Sequence, residues 1–397
     1  MTRKILAAFL LAVPAIAAAQ DSAVTPQAHL NDVISEILSY DPTVRSRLCA
    51  IEAEHSEAQA ENMAASPEVE FEHLWGADQN RWSASVTQEI EWPWLYRSRS
   101  RQAGLERSRS EALLTLYAYD RALTLKLIII DIINANRRCQ LYKEIADNID
   151  SIASATKASY DMGEATILDL RKAQIASVNA HADYRMALTD VTNIYESVSI
   201  FNVTAEIFER GDVAFDEYPM QPFEEPTEKF DEAWSPYQTV SLEAYRNRLK
   251  VANMSALPSF SVGYVHAFED DNHFNGLKVS VTLPSFSRKK RIQAVRSRVD
   301  YDMIEDTANE TAAINECQTQ YCVAEQLKEE LDQYAGLIDD NSYMELLKMA
   351  FDSGEMTVVD YITEINLFRQ SRLTYLDLEY RYNLALTRSN RYRSIGF

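Results

Sequence analysis

Apolar residues recur along this chain at two different periods. Leu141, Ile145, Ile149 and Ile152 step by 4, 4 and 3 positions, and Leu327, Leu331, Tyr334 and Ile338 by 4, 3 and 4. That is the narrow seam of a coiled coil, not the wide stripe of a helix lying on a globular core. Ala173, Ala176, Ala180, Ala182 and Ala187 line a returning helix that a neighbour can approach closely. Elsewhere the period is two. Trp82, Ala84, Val86, Ile90 and Trp92 alternate with Ser83, Ser85, Thr87, Glu89 and Glu91. Phe260, Val262, Tyr264 and Phe268 alternate with Ser259, Ser261 and Gly263, and Leu277, Val279, Val281 and Leu283 with Lys278, Ser280 and Thr282. The pattern predicts strands near 68–75, 82–92, 259–268 and 277–283. Helices are expected over 27–65, 97–159, 288–350 and from 357 to the C-terminus. Roughly 60 helical residues make a rod about 90 Å long, which must pack lengthwise against others.

The pattern is written twice. Tyr160–Asp169 reappears, without a gap, 191 residues later as Phe351–Asp360. The same shift maps Pro67 to Pro258, Pro93 to Pro284, Arg97 to Arg288, Gln102 to Gln293, Ala103 to Ala294, Lys157 to Lys348 and Tyr184 to Tyr375. Each half is far longer than a solenoid unit, so this is a duplicated domain. The expected organisation is a first repeat over 20–210, with a hairpin at about 68–92 and a helical turn at 161–166. A second repeat over 237–397 has its hairpin at about 259–283 and its turn at 352–357. Between them, 211–236 holds Pro219, Pro222, Pro226 and Pro236 and reads as an irregular connector.

The repeated turn has a local cause. Lys157 and Lys348 complement the dipole of the incoming helix, and Gly163 and Gly354 supply a left-handed C′ residue. Thr166 and Thr357 are N-caps of the outgoing helix, with Asp169 and Asp360 three residues on, as in a capping box. If the helices form a tube, these turns lie at one end of it. Asp169, Asp360, Glu355 and Glu364 then ring its mouth, and a ring of carboxylates favours cations and can gate a pore.

Arg3 and Lys4, an apolar run from Ile5 to Ile16 and Ala17-Ala18-Ala19 form a signal peptide over 1–19. The chain is therefore expected to be exported. No later segment has the apolar length of a membrane helix; the best, Leu125–Ile133, is short and carries Lys126 and Asp131. A formal net charge of −21 argues against a nucleic-acid partner. Only 9 glycines suit long helices better than an all-β fold. Cys49, Cys139, Cys317 and Cys322 form no CxxC pair, and the six histidines are scattered. Neither a metal or cofactor site nor a nucleophile–base motif or P-loop is visible, so no enzyme is expected.

The strands are about as long as a bilayer requires, and four strands cannot close a barrel or cover their own apolar face. Trp75, Trp82, Trp92 and Trp94 cluster at strand ends, as aromatic girdles do at membrane interfaces. Three identical chains pooling four strands each would close a barrel of twelve. Basic clusters follow both hairpins (Arg97, Arg99, Arg101, Arg107, Arg109; Arg288, Lys289, Lys290, Arg291, Arg296, Arg298); they read either as a solvated face or as contacts for lipid phosphates at the barrel's periplasmic rim. The acidic loop Glu269-Asp270-Asp271-Asn272 reads as an exposed hairpin tip.

The run Gly-x-x-Thr-hydrophobic-hydrophobic-Asp, at Gly163–Asp169 and Gly354–Asp360, resembles the helix-turn signature of the TolC family of outer-membrane efflux proteins. Gln88–Trp94 followed by Arg97 and Arg99 resembles that family's strand-to-helix exit. The resemblance covers essentially the whole mature chain. It implies a mainly α fold with a transmembrane β part: a homotrimeric twelve-stranded outer-membrane barrel continued by an α-helical periplasmic tunnel. It further implies a periplasmic adaptor and an inner-membrane pump of the resistance-nodulation-division class as partners, with heavy-metal cations or drugs as substrates. The family's aspartate constriction carries over to Asp360; Thr363 stands three residues on, with Glu364 beside it. A different class remains: a periplasmic coiled-coil or adaptor protein without a pore, which has no need of lipid-length strands.

Overall fold

The computed structural model describes residues 26–75, 80–210, 215–269, 272–283, 287–338 and 342–396. The expected signal peptide lies outside the described residues, as do Asp270, Asp271 and Pro284. In chain order the elements are α1 (Pro26–Tyr40), α2 (Pro42–Glu61), β1 (Glu68–Trp75), β2 (Asn80–Ile90), α3 (Pro93–Asp161) and α4 (Ile167–Glu196). A 3₁₀ turn (Ser197–Phe201) and the short α5 (Glu206–Arg210) follow. Then come α6 (Thr227–Met254), β3 (Ser259–Glu269), β4 (Asn272–Thr282), α7 (Arg288–Ile338), α8 (Ser342–Asp352) and α9 (Val358–Ser389).

The chain divides into two compact units that cut across the repeats. One takes in residues up to Thr43, Tyr117–Phe230 and Ala313–Phe397; the other comprises Val44–Leu116 and Asp231–Ala312. Each unit draws on both repeats.

In the first unit, Ile34 and Ile37 of α1 pack with Leu125, Ile129, Ile132 and Ile133 of α3 and with Phe201 and Ile207, all essentially without solvent contact. Burying each such side chain contributes about 1.5–3 kcal/mol. The most apolar run of the sequence after its N-terminus is thus a core segment. Among the described residues no helix is long and apolar enough to cross a membrane.

The break between α1 and α2 is built from sequence. Asp41 precedes Pro42, the residue type best suited to a first helical position. Its carboxylate accepts from the Thr43 N–H at 2.8 Å and hydroxyl at 2.7 Å, and from Arg121 Nε at 2.5 Å. Burial opposes the Asp41 charge, but the bonds from Arg121 and Thr43 prevail and hold its pKa below the usual carboxylate value. Arg121 also lies over the Phe201 ring, 4.4 Å from its centroid.

A second core joins the helical hairpins of the two repeats. The predicted seam residues Leu141, Ile145, Ile149 and Ile152 of α3 pack with Ala180 of α4, Leu347 of α8, and Tyr361, Ile365 and Phe368 of α9. Leu331 and Tyr334 of α7 lie against the same cluster.

The connector reading needs correcting. Residues 227–236 are helical, with Pro236 inside α6. A mid-helix proline costs about 3 kcal/mol or more. Against that, Phe230, Trp234, Tyr237 and Tyr245 are all buried along this helix at helical spacing, and their burial outweighs the lost bond. The expected helix over 288–350 is described as two, α7 and α8.

In the second unit the hairpins of the two repeats form one antiparallel sheet in the order β1-β2-β3-β4. The join is β2 to β3, with Trp82 opposite Phe268, Val86 opposite Tyr264 and Ile90 opposite Phe260.

Candidate functional site

The sheet's register sorts most of its side chains into an apolar and a charged face. One face carries Val69, Phe71, Trp75, Trp82, Val86, Ile90, Phe260, Val262, Tyr264, Phe268, Leu277, Val279 and Val281. Phe71, Leu277 and Val279 on it are 69%, 82% and 68% exposed. A contiguous apolar face of this size marks an interaction surface. The opposite face carries Glu68, Glu70, Glu72, Arg81, Glu89, Glu269 and Lys278 among Ser83, Ser85, Ser261 and Gly263. Gly263 is there for space: a Cβ would meet the Val86 carbonyl oxygen at 2.5 Å. The outer edges of β1 and β4 have no strand partner among the described residues.

The four expected interface tryptophans fall at the two ends of this sheet, Trp75 and Trp82 on its strands and Trp92 and Trp94 just beyond β2. Trp82 lies between Phe71 and Phe268, with centroids 6.2 and 6.1 Å away, and Trp75 is 81% exposed beside the same hairpin end. At the other end Trp92 stacks on Trp94 at 4.5 Å, meets Phe260 edge-on at 4.9 Å and donates from Nε1 to the Pro258 carbonyl at 2.8 Å. Trp82 and Trp92 are ten residues apart. That is roughly 34 Å along a strand, or roughly 26 Å of height at a tilt of about 40°.

The expected lipid-facing charges are partly spent within the chain. Arg99 forms a two-pronged ion pair with Glu91, Arg107 binds Glu111 at 2.9 Å and Arg298 binds Asp302 at 3.0 Å. Arg109 lies between the rings of Tyr237 and Tyr245, donating to their hydroxyls at 2.9 and 2.8 Å and to Asp306 at 3.2 Å. Both hydroxyls in turn donate to Asp306. Nothing in the local sequence pattern points to this cluster, which ties α3, α6 and α7 of the second unit.

In the first unit the two repeated turns have one geometry. Gly163 has φ +83° and Gly354 φ +76°. Gly163 N–H donates to Tyr160 O at 2.9 Å and Glu164 N–H to Ser159 O at 2.8 Å. In the second copy Gly354 donates to Phe351 O and Glu355 to Ala350 O, both at 3.0 Å. These paired bonds are the Schellman ending. Thr166 Oγ1 accepts from Asp169 N–H, and Thr357 Oγ1 from Asp360 N–H, each at 3.2 Å. Each threonine hydroxyl also donates to the aspartate's Oδ2 at 2.6 Å. Only the first copy adds the return bond, from Thr166 N–H to Asp169. The bond from Thr166 holds the Asp169 carboxyl below its ordinary pKa.

Of the four carboxylates expected at the mouth, Asp169 and Asp360 are thus engaged as caps. Glu355 is exposed. Glu364 accepts from the Tyr343 hydroxyl at 2.8 Å, and the Tyr343 ring stacks on Phe368 at 5.7 Å. The residues tying the hairpins together were not anticipated. The fully buried Tyr361 donates its hydroxyl to Asn148, and Arg369 binds Asp183 at 2.7 Å. Asp150 accepts from Ser177 at 2.5 Å and pairs with His181 at 2.7 Å; the Ser177 bond leads in lowering its pKa. The i, i+4 spacing of Ser177 and His181 was the one available signal.

No protein-family model matches the chain, and no curated protein does. Solved structures match along almost its full length. The outer membrane channel CmeC of Campylobacter jejuni superposes with a TM-score of 0.73 at 15% identity, covering 96% of this chain and 90% of that one. The outer membrane protein VceC of Vibrio cholerae gives 0.71 at 10% identity, covering 93% and 96%. The open state of the MtrE outer membrane channel of Neisseria gonorrhoeae gives 0.65 at 12% identity, covering 95% and 93%. At these identities the likeness is one of fold.

Proposed function

We propose that this chain, which has the fold of the TolC-type outer-membrane efflux channels, is one subunit of an outer-membrane exit duct. The observation that carries the reading is the two-faced sheet: a largely exposed apolar face between two aromatic levels, backed by a charged face and flanked by edges with no strand partner among the described residues. Unpartnered backbone groups cannot face hydrocarbon, so such a sheet is admissible in a bilayer only as part of a closed barrel. Three copies, each pairing its β4 edge with the next copy's β1, close twelve strands with the apolar face to lipid and the charged face to the lumen. The helices then carry the path towards the inner membrane, where the turns at Gly163 and Gly354 meet a periplasmic adaptor and a pump that supplies the energy. The duct itself is passive.

The lumen-side face favours cations. Glu68, Glu70, Glu72, Glu89 and Glu269 face Arg81 and Lys278 there. Heavy-metal cations or cationic drugs are the substrate class this suits. Asp360 and Glu364, with Glu355 and Asp169, form the constriction at the inner end. The deciding experiment is fractionation followed by planar-bilayer recording. The protein is expected in the outer-membrane fraction, as a trimer in detergent, with a cation-preferring conductance. Recovery in the soluble periplasm without detergent overturns the duct and favours the pore-free coiled-coil reading.

A further inference from the structure

Near the turn-proximal end of the β3–β4 hairpin, two histidines face each other on the apolar side of the sheet. His266 of β3 is opposite Asn275, and Phe268 is opposite His273 of β4. The two histidines are therefore diagonal neighbours on one face, within side-chain reach. Their rings stack with centroids 5.5 Å apart, and His273 Nδ1 lies 3.5 Å from His266 Nε2. Two nitrogens bound to one tetrahedral metal at 2.0–2.1 Å stand roughly 3.4 Å apart. The separation already present is close to the one a metal requires, and a small turn of the exposed His273 ring would bring both lone pairs to one point.

The surroundings orient the pair. Asn275 Oδ1 accepts from the Tyr264 hydroxyl at 2.5 Å and lies 2.8 Å from His266 Nδ1. An acceptor at that point holds the His266 proton on Nδ1 and leaves the Nε2 lone pair turned towards His273. A ligating histidine is ordinarily fixed in this way, by a hydrogen bond from its other nitrogen. The His266 ring packs against Trp82 at 5.4 Å and the His273 ring against Phe268 at 5.1 Å, so neither ring turns freely.

We infer that His266 and His273 form a two-nitrogen binding site for a borderline divalent transition metal such as Cu²⁺, Ni²⁺ or Zn²⁺. Imidazole selects these ions over Mg²⁺ and Ca²⁺, which take oxygen ligands. In the hydrogen-bonded pair His273 donates its single ring proton from Nδ1 to His266 Nε2; binding requires the other tautomer, in which that proton sits on Nε2 and the metal takes its place at Nδ1. Among the described residues no cluster of three or more His, Cys, Asp or Glu surrounds a metal position. Two protein donors therefore leave the other coordination positions to water or one external ligand. The bound ion would tie β3 to β4 close to their turn. Both ligands come from a single hairpin, at the level of Trp82 on the sheet.

The test uses the full-length protein, untagged and in detergent, titrated with Cu²⁺ alone. One Cu²⁺ per chain is expected, with an electron paramagnetic resonance spectrum split by two imidazole nitrogens and with quenching of Trp82 fluorescence. His266→Asn and His273→Asn should each abolish the two-nitrogen spectrum. Asn275→Ala should weaken binding by about tenfold, the cost of losing an orienting partner. His73→Asn, on the same face but two strands from His266, should change nothing. Equal Cu²⁺ binding by the wild type and the His266→Asn/His273→Asn double variant overturns the site, as does equal loss in His73→Asn.

Discussion

Glu70 on β1 and Lys278 on β4 meet at 3.1 Å, although two strands lie between them. On a flat sheet three strand spacings come to roughly 14 Å, a gap that side chains rising perpendicular to the sheet do not close. The sheet is therefore curled towards its charged face. Small residues on that face, Ser85, Ser261 and Gly263, make room for the curl. A concave charged side and a convex apolar side are what a barrel wall in a membrane requires.

This pair gives a first prediction. Among the described residues of the concave face, Lys278→Glu leaves one basic residue, Arg81, against six acids. The reversal potential under a salt gradient should move further towards cation selectivity. Stability should change by less than about 1 kcal/mol, because the pair is solvent-exposed. A shift towards anions would place this face away from the conducting path.

The two turns should respond unequally to the same change. Thr166→Ala and Thr357→Ala each remove a cap worth about 1 kcal/mol. Only in the first copy does the capping residue's own N–H also donate to the aspartate carboxylate; an alanine at 166 keeps that backbone bond, so the Thr357 variant should melt lower. Equal melting temperatures would mean that the return bond contributes nothing measurable.

Capping and gating separate at Glu364. Asp360→Ala combined with Glu364→Ala should raise single-channel conductance or weaken block by cations. Thr357→Ala, which loses the cap but keeps both carboxylates, should alter stability without that change in current. An unaltered current in the double variant leaves Asp360 with a capping role only.

Lys126 offers a pH signature. It is 3% exposed, donates to the Ser394 carbonyl at 2.8 Å, and burial pulls its pKa down to about 8. The unfolded chain keeps the ordinary value of 10.5. Between pH 8 and 10.5 the unfolded state therefore holds more protons, and this residue's contribution to stability rises with pH across that window. Below pH 8 the full charging penalty, on the order of 3 kcal/mol, is present. Denaturation of the wild type and Lys126→Met at pH 7 and pH 10 should show the difference moving in the wild type's favour as pH rises. A pH-independent difference would mean that Lys126 is not buried in its charged form.

Much of the local structure was legible because its causes lie within a few residues. The seam Leu141, Ile145, Ile149 and Ile152 is set by helical spacing, and each becomes core. Gly163 and Thr166 end one helix and start the next through bonds spanning no more than six residues. Pro236 shows the limit: its local signal is to break a helix, and buried aromatics along α6 overrule it. Trp82 and Trp92 could be placed at strand ends, but not against Phe268 and Phe260, which belong to the other repeat.

The sequence by itself determined the repeat, the two periodicities, the caps of the repeated turn and the two chemical faces of every strand. These depend on chain direction and on neighbours within a turn or a pleat. Only the tertiary structure decided that the two hairpins share one sheet through β2 and β3, that its charged face is concave, and that Tyr361 closes on Asn148. Those contacts join residues more than a hundred positions apart. Strand alternation fixes which side chains share a face, yet it leaves open the partner strand and the sense of curvature. Pairing of edge hydrogen bonds and packing of side chains across the whole unit settle both.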